Sequence, residues 1–403
     1  MARVVLLGTL DTKGHEYAYL RERLAEHGDE VTVVDAGTND PVGMVPDVAH
    51  DEVARAAGAD VAALAAAGDR GAAVTAMAAG AERVVLDLHA RGELDAILAL
   101  GGSGGSSIAA RAMQALPVGV PKLLVSTVAS GDTRPYVGAV DVTMMYSVVD
   151  ISGVNSVSAR ILTNAAAAIS GMAKAEAPAL DGRPLVAATM FGVTTPCVTR
   201  ARERLEELGY EVLVFHATGA GGRSMEALVD GGFLAGVLDV TTTELADELV
   251  GGVLSAGPDR LEAAGRNGVP QVVSLGALDM VNFGPRETVP PQFEGRNLYV
   301  HNPTVTLMRT TTGECAQLGR TIGEKLAAAT GPTAVFVPLG GVSMIDVPGQ
   351  PFHDADADAA LVASLKETLG DVELHEREED VNDPAFAVAM ADRLHELIQE
   401  RSA

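Results

Sequence analysis

Short apolar runs alternate with longer amphipathic stretches from the start of the chain. Val4, Val5, Leu6 and Leu7 form one run, closed by Gly8. Residues 17–26 carry apolar positions at helical spacing with charges on the other face, and 30–34 form a second run ending at Asp35. Strand, helix and strand within about 30 residues make a βαβ unit. Further on, 94–100 predict a strand, 106–116 a helix, 122–126 a strand and 156–172 a helix. The pattern starts again after Arg183, with strands predicted over 185–189 and 211–215 and a helix over 198–208. Alternating βα order implies a mainly parallel sheet with helices on both faces. Right-handed crossovers then put the ligand crevice at the carboxyl ends of the strands.

Three pairs of strings recur in the same order in the two halves. Arg21-Glu22-Arg23-Leu24 before Gly28 resembles Arg202-Glu203-Arg204-Leu205 before Gly209. Gly119-Val120-Pro121 resembles Gly268-Val269-Pro270, and Val142-Thr143-Met144-Met145 resembles Val305-Thr306-Leu307-Met308. The expected architecture is therefore α/β, with two related Rossmann-like, doubly wound domains from an internal duplication. A segment without periodicity, 175–184, holding Pro178, Gly182 and Pro184, separates an expected nucleotide-binding domain (1–177) from a second domain (184–403). The last part of the chain is an acidic stretch, 371–383, then a helix predicted over 384–401.

Composition narrows the class. A length of 403 residues suits two domains. Hydrophobic residues make up 47% but aromatics only 3%, so the cores must be built from Ala, Val, Leu, Ile and Met. A net charge of −25 disfavours nucleic acid and anionic membrane surfaces as partners. It leaves room for ATP, because a local nest of main-chain N–H groups holds phosphate even in an acidic protein. No apolar stretch reaches the length of a membrane span. Two cysteines, Cys197 and Cys315, at no metal-like spacing, fit a reducing, cytoplasmic location.

The strongest chemical signal is Gly101-Gly102-Ser103-Gly104-Gly105-Ser106-Ser107, between a predicted strand and a predicted helix. Glycines let the backbone approach a ligand, and successive N–H groups with a helix N-terminus make an anion site. No Gly-Lys-Ser/Thr follows, so it is not a Walker A loop. Ser107 stands where a dinucleotide fingerprint would end in glycine. A tight serine-capped turn is the plainer account of the same string. Gly8 through Gly14 leaves the first strand at the same edge. There Thr9, Thr12 and Lys13 suit phosphate and Asp11 suits Mg²⁺. Asp35 is placed to accept from ribose hydroxyls. Residues 126–136 add Thr127, Ser130 and Gly131 for phosphate or ribose, Arg134 for an anion, and Asp132 and Asp150 as metal or base positions. In the second half, His216, Asp239, Glu244, His301 and Arg309 are candidates for an acid–base site with a carboxylate anchor. No pair of histidines has the spacing of a zinc motif. Cys197, with no base nearby in sequence, is expected to be packing.

The strings 8–13, 101–105, 126–136, 144–150, 189–196, 215–219, 238–244, 276–285 and 301–309 resemble the Tm-one-like ATP-binding family, named for the N-terminal half of a tomato mosaic virus resistance protein. The resemblance runs over essentially the whole chain. It implies two Rossmann-like subdomains, ATP in the first, and a homodimer. Carried over, the nucleotide contacts would be Thr9, Asp11, Lys13, the 101–105 loop with Ser106, and 127–131. The plant protein's further barrel domain has no counterpart here, so no reaction is implied by it. The expectation is an ATP-binding protein that uses ATP–Mg²⁺ in an enzymatic step on a small acidic metabolite. A non-catalytic ATP-regulated interaction module and a dinucleotide-dependent oxidoreductase are the alternatives.

Overall fold

A computed structural model describes residues 1–176 and 182–402. Residues 177–181, the middle of the expected linker with Pro178, lie outside them. The chain divides into two compact units, Met1–Ala179 and Leu180–Ala403.

The first unit runs β1 (Arg3–Gly8), α1 (Leu10–Glu26), β2 (Glu30–Asp35), α2 (His50–Ala56), α3 (Val61–Ala67), α4 (Arg70–Ala90), β3 (Ala96–Gly101), α5 (Ser103–Ala115), β4 (Lys122–Ser126), α6 (Arg134–Val137), β5 (Val142–Tyr146) and α7 (Ser156–Lys174). Its strands form a parallel sheet in the order β2-β1-β3-β4-β5. Successive side chains of a strand face opposite sides, and both faces are covered here. Val5, Leu7, Ile97 and Ala99 pack with α4 and α5. Val4, Leu6, Ala96, Leu98 and Leu100 pack with α1 and α7. That is why β1 and β3 read as unbroken apolar runs instead of alternating ones.

The second unit continues with β6 (Leu185–Met190), α8 (Thr195–Glu207), β7 (Glu211–His216), α9 (Ala220–Asp230), β8 (Gly236–Thr241), α10 (Thr243–Val250), α11 (Ala263–Arg266) and β9 (Gln271–Gly276). Then come β10 (Met280–Phe283), β11 (Leu298–Asn302), β12 (Val305–Arg309), α12 (Thr312–Ala327), β13 (Thr333–Pro338), α13 (Ala355–Thr368), β14 (Glu373–Arg377) and α14 (Pro384–Ser402). Its parallel sheet, β7-β6-β8-β9-β13-β14, has the same order as the first through five strands. The acidic stretch contains β14, an edge strand beside β13, and α14 packs back on α8, β8, β9 and β13 within its own unit.

Two of the three recurring string pairs occupy matching places. Gly28 and Gly209, which follow α1 and α8, both have positive φ, as do Gly119 and Gly268, which lead into β4 and β9. The third pair does not match. Residues 142–145 lie on β5 of the parallel sheet, whereas 305–308 lie on β12, the middle strand of a separate antiparallel sheet, β10-β12-β11. That sheet is inserted between β9 and β13, and the βα pattern alone did not predict it. Among the described residues, no helix is long and apolar enough to cross a membrane.

Candidate functional site

The first sheet reverses its direction of growth at β1, with β2 on one side and β3 on the other. Loops leaving adjacent strands there run to opposite faces and leave a crevice between them. Tyr17, fully buried on α1, holds the edge of it. Its hydroxyl donates to the Leu7 carbonyl at 2.5 Å and accepts from the Leu100 N–H at 2.9 Å. It thus bridges β1 and β3 just past Leu7↔Ala99, the last pair of their ladder. A side chain at Gly8 would collide with the Tyr17 ring.

A cavity of about 530 Å³ opens at this point, lined by Thr9, Asp11, Thr12 and Lys13, by the 36–39 loop, by Gly101 through Gly105, by parts of α3 and α4, and by Asp150. Its size lies within the ~300–1,000 Å³ typical of small-molecule sites. One wall is apolar, made by Leu64, Ala73, Val74, Met77 and Ile108. The rest of the lining is mostly polar, and the start of α5 belongs to it. α5 begins at Ser103 after Gly102, which gives it no side-chain cap. The first N–H groups of a helix lack partners within it, and here they lie at the cavity. Gly101 packs tightly, since a Cβ there would lie 3.0 Å from the Gly105 backbone.

The sequence candidates divide on inspection. Thr9, Asp11, Thr12, Lys13, Gly101, Gly102, Ser103, Gly104 and Gly105 all line the cavity. Lys13 donates its Nζ proton to the Ile151 carbonyl, tying the loop after β5 to α1 at a break in the helix (Lys13 φ −130°, ψ 15°). Asp11 uses one oxygen to accept from Thr38 N–H (3.2 Å) and Asn39 (3.2 Å to the side chain). Its other oxygen is buried without a hydrogen-bond partner. Thr127 stays close to the loop, its Oγ1 3.8 Å from where a Gly102 Cβ would stand.

Other candidates take up different roles. Asp35 is fully buried. It accepts from the Leu10 N–H (3.0 Å) and Gly37 N–H (2.8 Å), with His50 at 3.3 Å, so it anchors the loops around the cavity instead of facing a ribose. Burial raises its pKa, against the pull of those bonds. The Ser106 hydroxyl is buried, 2.6 Å from that of Ser126. Ser130 and Gly131 are exposed and off the cavity lining. Asp132 pairs with Arg134 at 2.7 Å, also off the lining, and the guanidinium lowers its pKa to about 2. Asp132 therefore does not share a metal position with Asp11; Asp150 lies on the cavity instead. Sequence reasoning missed Arg70 and the apolar wall, which apart from Ile108 come from helices distant in sequence from both glycine loops.

In the second unit the expected acid–base group is not assembled. Asp239 and Glu244 are buried around Arg260, also buried, at 2.5 and 2.7 Å, with Glu226 at 3.4 Å. Glu244 also accepts from the Gly219 and Gly222 N–H groups at 2.6 and 3.0 Å. An internal carboxylate thus occupies the start of α9, where a ligand anion would be attracted. Arg309 is buried too. Its guanidinium meets Asp346 at 3.1 Å and Asp358 at 2.7 Å and donates to the Phe352 carbonyl at 2.7 Å. His216 is exposed at the end of β7, its ring 5.4 Å from that of Phe191, and His301 is exposed on β11 of the antiparallel sheet. Asp346, His353 and Asp358 approach one another closely enough to hold a cation, but the Arg309 guanidinium already contacts both carboxylates. Cys197 is buried, and burial pushes its thiol up to about 12.

Comparison with known proteins matches residues 2–178 to the N-terminal domain, and 183–398 to the C-terminal domain, of the uncharacterised protein family UPF0261. The chain belongs to this family. A UPF0261 protein of Clostridium tetani is 53% identical over 401 residues, 99% of each chain. One of Mesorhizobium japonicum is 47% identical, covering 97% of this chain and 98% of that one. The tomato ToMV resistance protein Tm-1(GCR237) of Solanum lycopersicum is 45% identical over 340 residues, 81% of this chain but 45% of the tomato protein. The UPF0261 chain thus matches less than half of that plant relative.

Proposed function

We propose that the first unit binds a nucleotide polyphosphate, ATP with Mg²⁺, at the crevice between β1 and β3. The observation that carries this is the conjunction of uncapped amides at the start of α5 with an apolar wall in one cavity. The amides attract a phosphate, and the wall of Leu64, Val74 and Met77 suits a planar base. The residues present also fit a hard cation. The unpartnered oxygen of Asp11 and the carboxylate of Asp150 would hold Mg²⁺, which supplies charge neutralisation at the phosphates.

Of the three uses considered, the ATP-regulated module is favoured by one feature of the second unit. Asp239, Glu244 and Arg309, three of the five expected catalytic groups, are held in internal ion pairs, while His216 and His301 stand exposed. The dinucleotide reading has less support, because Asp35 has its oxygens engaged by Leu10, Gly37 and His50. Isothermal titration of the whole chain with ATP, with and without Mg²⁺, tests the proposal. Saturable binding tightened by Mg²⁺ is expected, and no heat at millimolar ATP overturns it. Turnover of ATP with added small carboxylic acids would restore the enzymatic reading; its absence alongside binding supports the module.

A further inference from the structure

The glycine-rich turn Gly219-Ala220-Gly221-Gly222, between β7 and the body of α9, cradles an anion that the chain itself supplies. Glu244 Oε1 accepts from the Gly219 N–H at 2.6 Å and the Gly222 N–H at 3.0 Å, and Oε2 accepts from Arg260 Nε at 2.7 Å. Glu244 and Arg260 are both buried. The Nη1 and Nη2 atoms of the guanidinium are taken by Asp239 and Glu226, which leaves Nε for Glu244. The turn is shaped for this carboxylate. A Cβ on Gly222 would collide with Glu244 Oε2 and Arg260 Nε, and Gly219 has a φ of 80°, which favours glycine. Two main-chain N–H groups at a helix start and a guanidinium N–H, converging on one point, are the donor set that holds a phosphate or carboxylate ligand.

Glu244 stands where the first unit has Gly104. β8 holds the place in its sheet that β3 holds in the other. After β3 ends at Gly101, α5 opens with Ser103 and Gly104; after β8 ends at Thr241, α10 opens with Thr243 and Glu244. A side chain at Gly104 would face Arg70 and Val74 of α4, the helix that precedes β3. Glu244 likewise faces α9, the helix that precedes β8. With glycine at this place the first unit keeps an open cavity, which Gly104 lines. With glutamate the second unit puts a carboxylate across the matching gap. We infer that Gly219, Gly222 and Arg260 form an anion site of the second unit whose occupant is the chain's own Glu244, a built-in stand-in for a phosphate or carboxylate ligand. This crevice is thereby closed to such ligands. Taken with the nucleotide reading above, on which this last step alone rests, each chain then holds one nucleotide.

The test is calorimetric melting of the whole chain and of its Glu244→Ala and Glu244→Gln variants in acetate or formate, against chloride at equal ionic strength. Glu244→Ala removes the occupant and leaves Arg260 paired with Asp239 and Glu226. In chloride it should melt about 4–8 °C lower, the shift expected for losing hydrogen bonds to a charged group. Acetate and formate should restore part of that loss saturably, with little effect on the unaltered chain. Glu244→Gln fills the same space with a neutral amide, so it should melt lower and gain no more from acetate than the unaltered chain does. A Glu244→Ala chain that folds only with acetate present supports the site as well. Equal gains in all three chains, or a Glu244→Ala chain that acetate neither stabilises nor folds, overturn it. ATP titrated into the unaltered chain should saturate at one per chain, and two per chain overturn the closure of the second crevice. Absence of ATP binding sinks the nucleotide reading alone, and the acetate result still decides the site.

Discussion

Tyr17 shows how one side chain shapes the crevice. Where β1 and β3 part, Leu7 loses a donor and Leu100 an acceptor, and a single phenol hydroxyl serves both. Tyr17→Phe keeps the ring and strands both backbone groups in a dry site. The expected loss is about 1–3 kcal/mol of stability, read as a lower urea midpoint with unchanged m. Asp279 is a second telling residue. Burial first, then the charge of Asp346, raise its pKa well above the ordinary carboxylate value. One of its oxygens accepts from Ser343 at 2.8 Å and the other has no partner. The folded state therefore holds a proton that the unfolded state releases near pH 4. Stability from this group is complete below that pH and is lost as pH rises towards the folded pKa. Asp279→Asn keeps an acceptor for Ser343 and removes the titration. It should flatten the decline of melting temperature between pH 5 and 8 (about that window) and stabilise the protein at the alkaline end.

At the scale of elements, the two sheets reach the same strand order but finish their crevices differently. In the first unit the helix after β3 starts with glycines and leaves its amides open to the cavity. In the second, the helix after β8 starts Thr243-Glu244, and Glu244 turns back to the start of α9 while pairing with Arg260. Arg260 thus joins β8, α9 and α10 through three carboxylates. Arg260→Met leaves those acids buried without a counter-charge, and breaking such a cluster costs about 3–5 kcal/mol. The expected outcome is a large fall in the melting temperature of the second unit, measured by calorimetry, with nucleotide binding by the remaining folded first unit unchanged.

At the scale of the whole molecule, each unit has its own cores. Those of the first are formed by residues up to Met113, Leu124, Val142 and Ile169, and those of the second begin at Val186. Each therefore carries the apolar burial that an independent domain needs. A fragment of residues 1–181 is expected to give cooperative unfolding and to bind ATP with the affinity of the whole chain. Circular dichroism and titration check this, and a fragment that aggregates or fails to bind where the whole chain binds contradicts it.

Periodicity and turn chemistry determined most of the architecture. Apolar runs marked β1 to β4 and β6 to β7, with glycine or aspartate closing β1, β2 and β3, and the inner strands β1, β3, β4 and β6 are apolar almost throughout because they are buried on both faces. The glycine string at 101–105 marked the uncapped start of α5, since main-chain amides opened by glycine need no particular side chain to be foreseen. Only the tertiary structure decided which polar residues are available to a ligand. Asp35, Asp239, Glu244 and Arg309 were expected to meet a ligand, yet each is engaged by partners 15 or more residues away, such as His50, Arg260 and Asp346. Arg70 was equally hidden, for the opposite reason: nothing in its local sequence distinguishes a cation facing a cavity from one facing solvent. Local sequence specifies backbone conformation and burial pattern, whereas the pairing of charges depends on which distant segments the fold brings together.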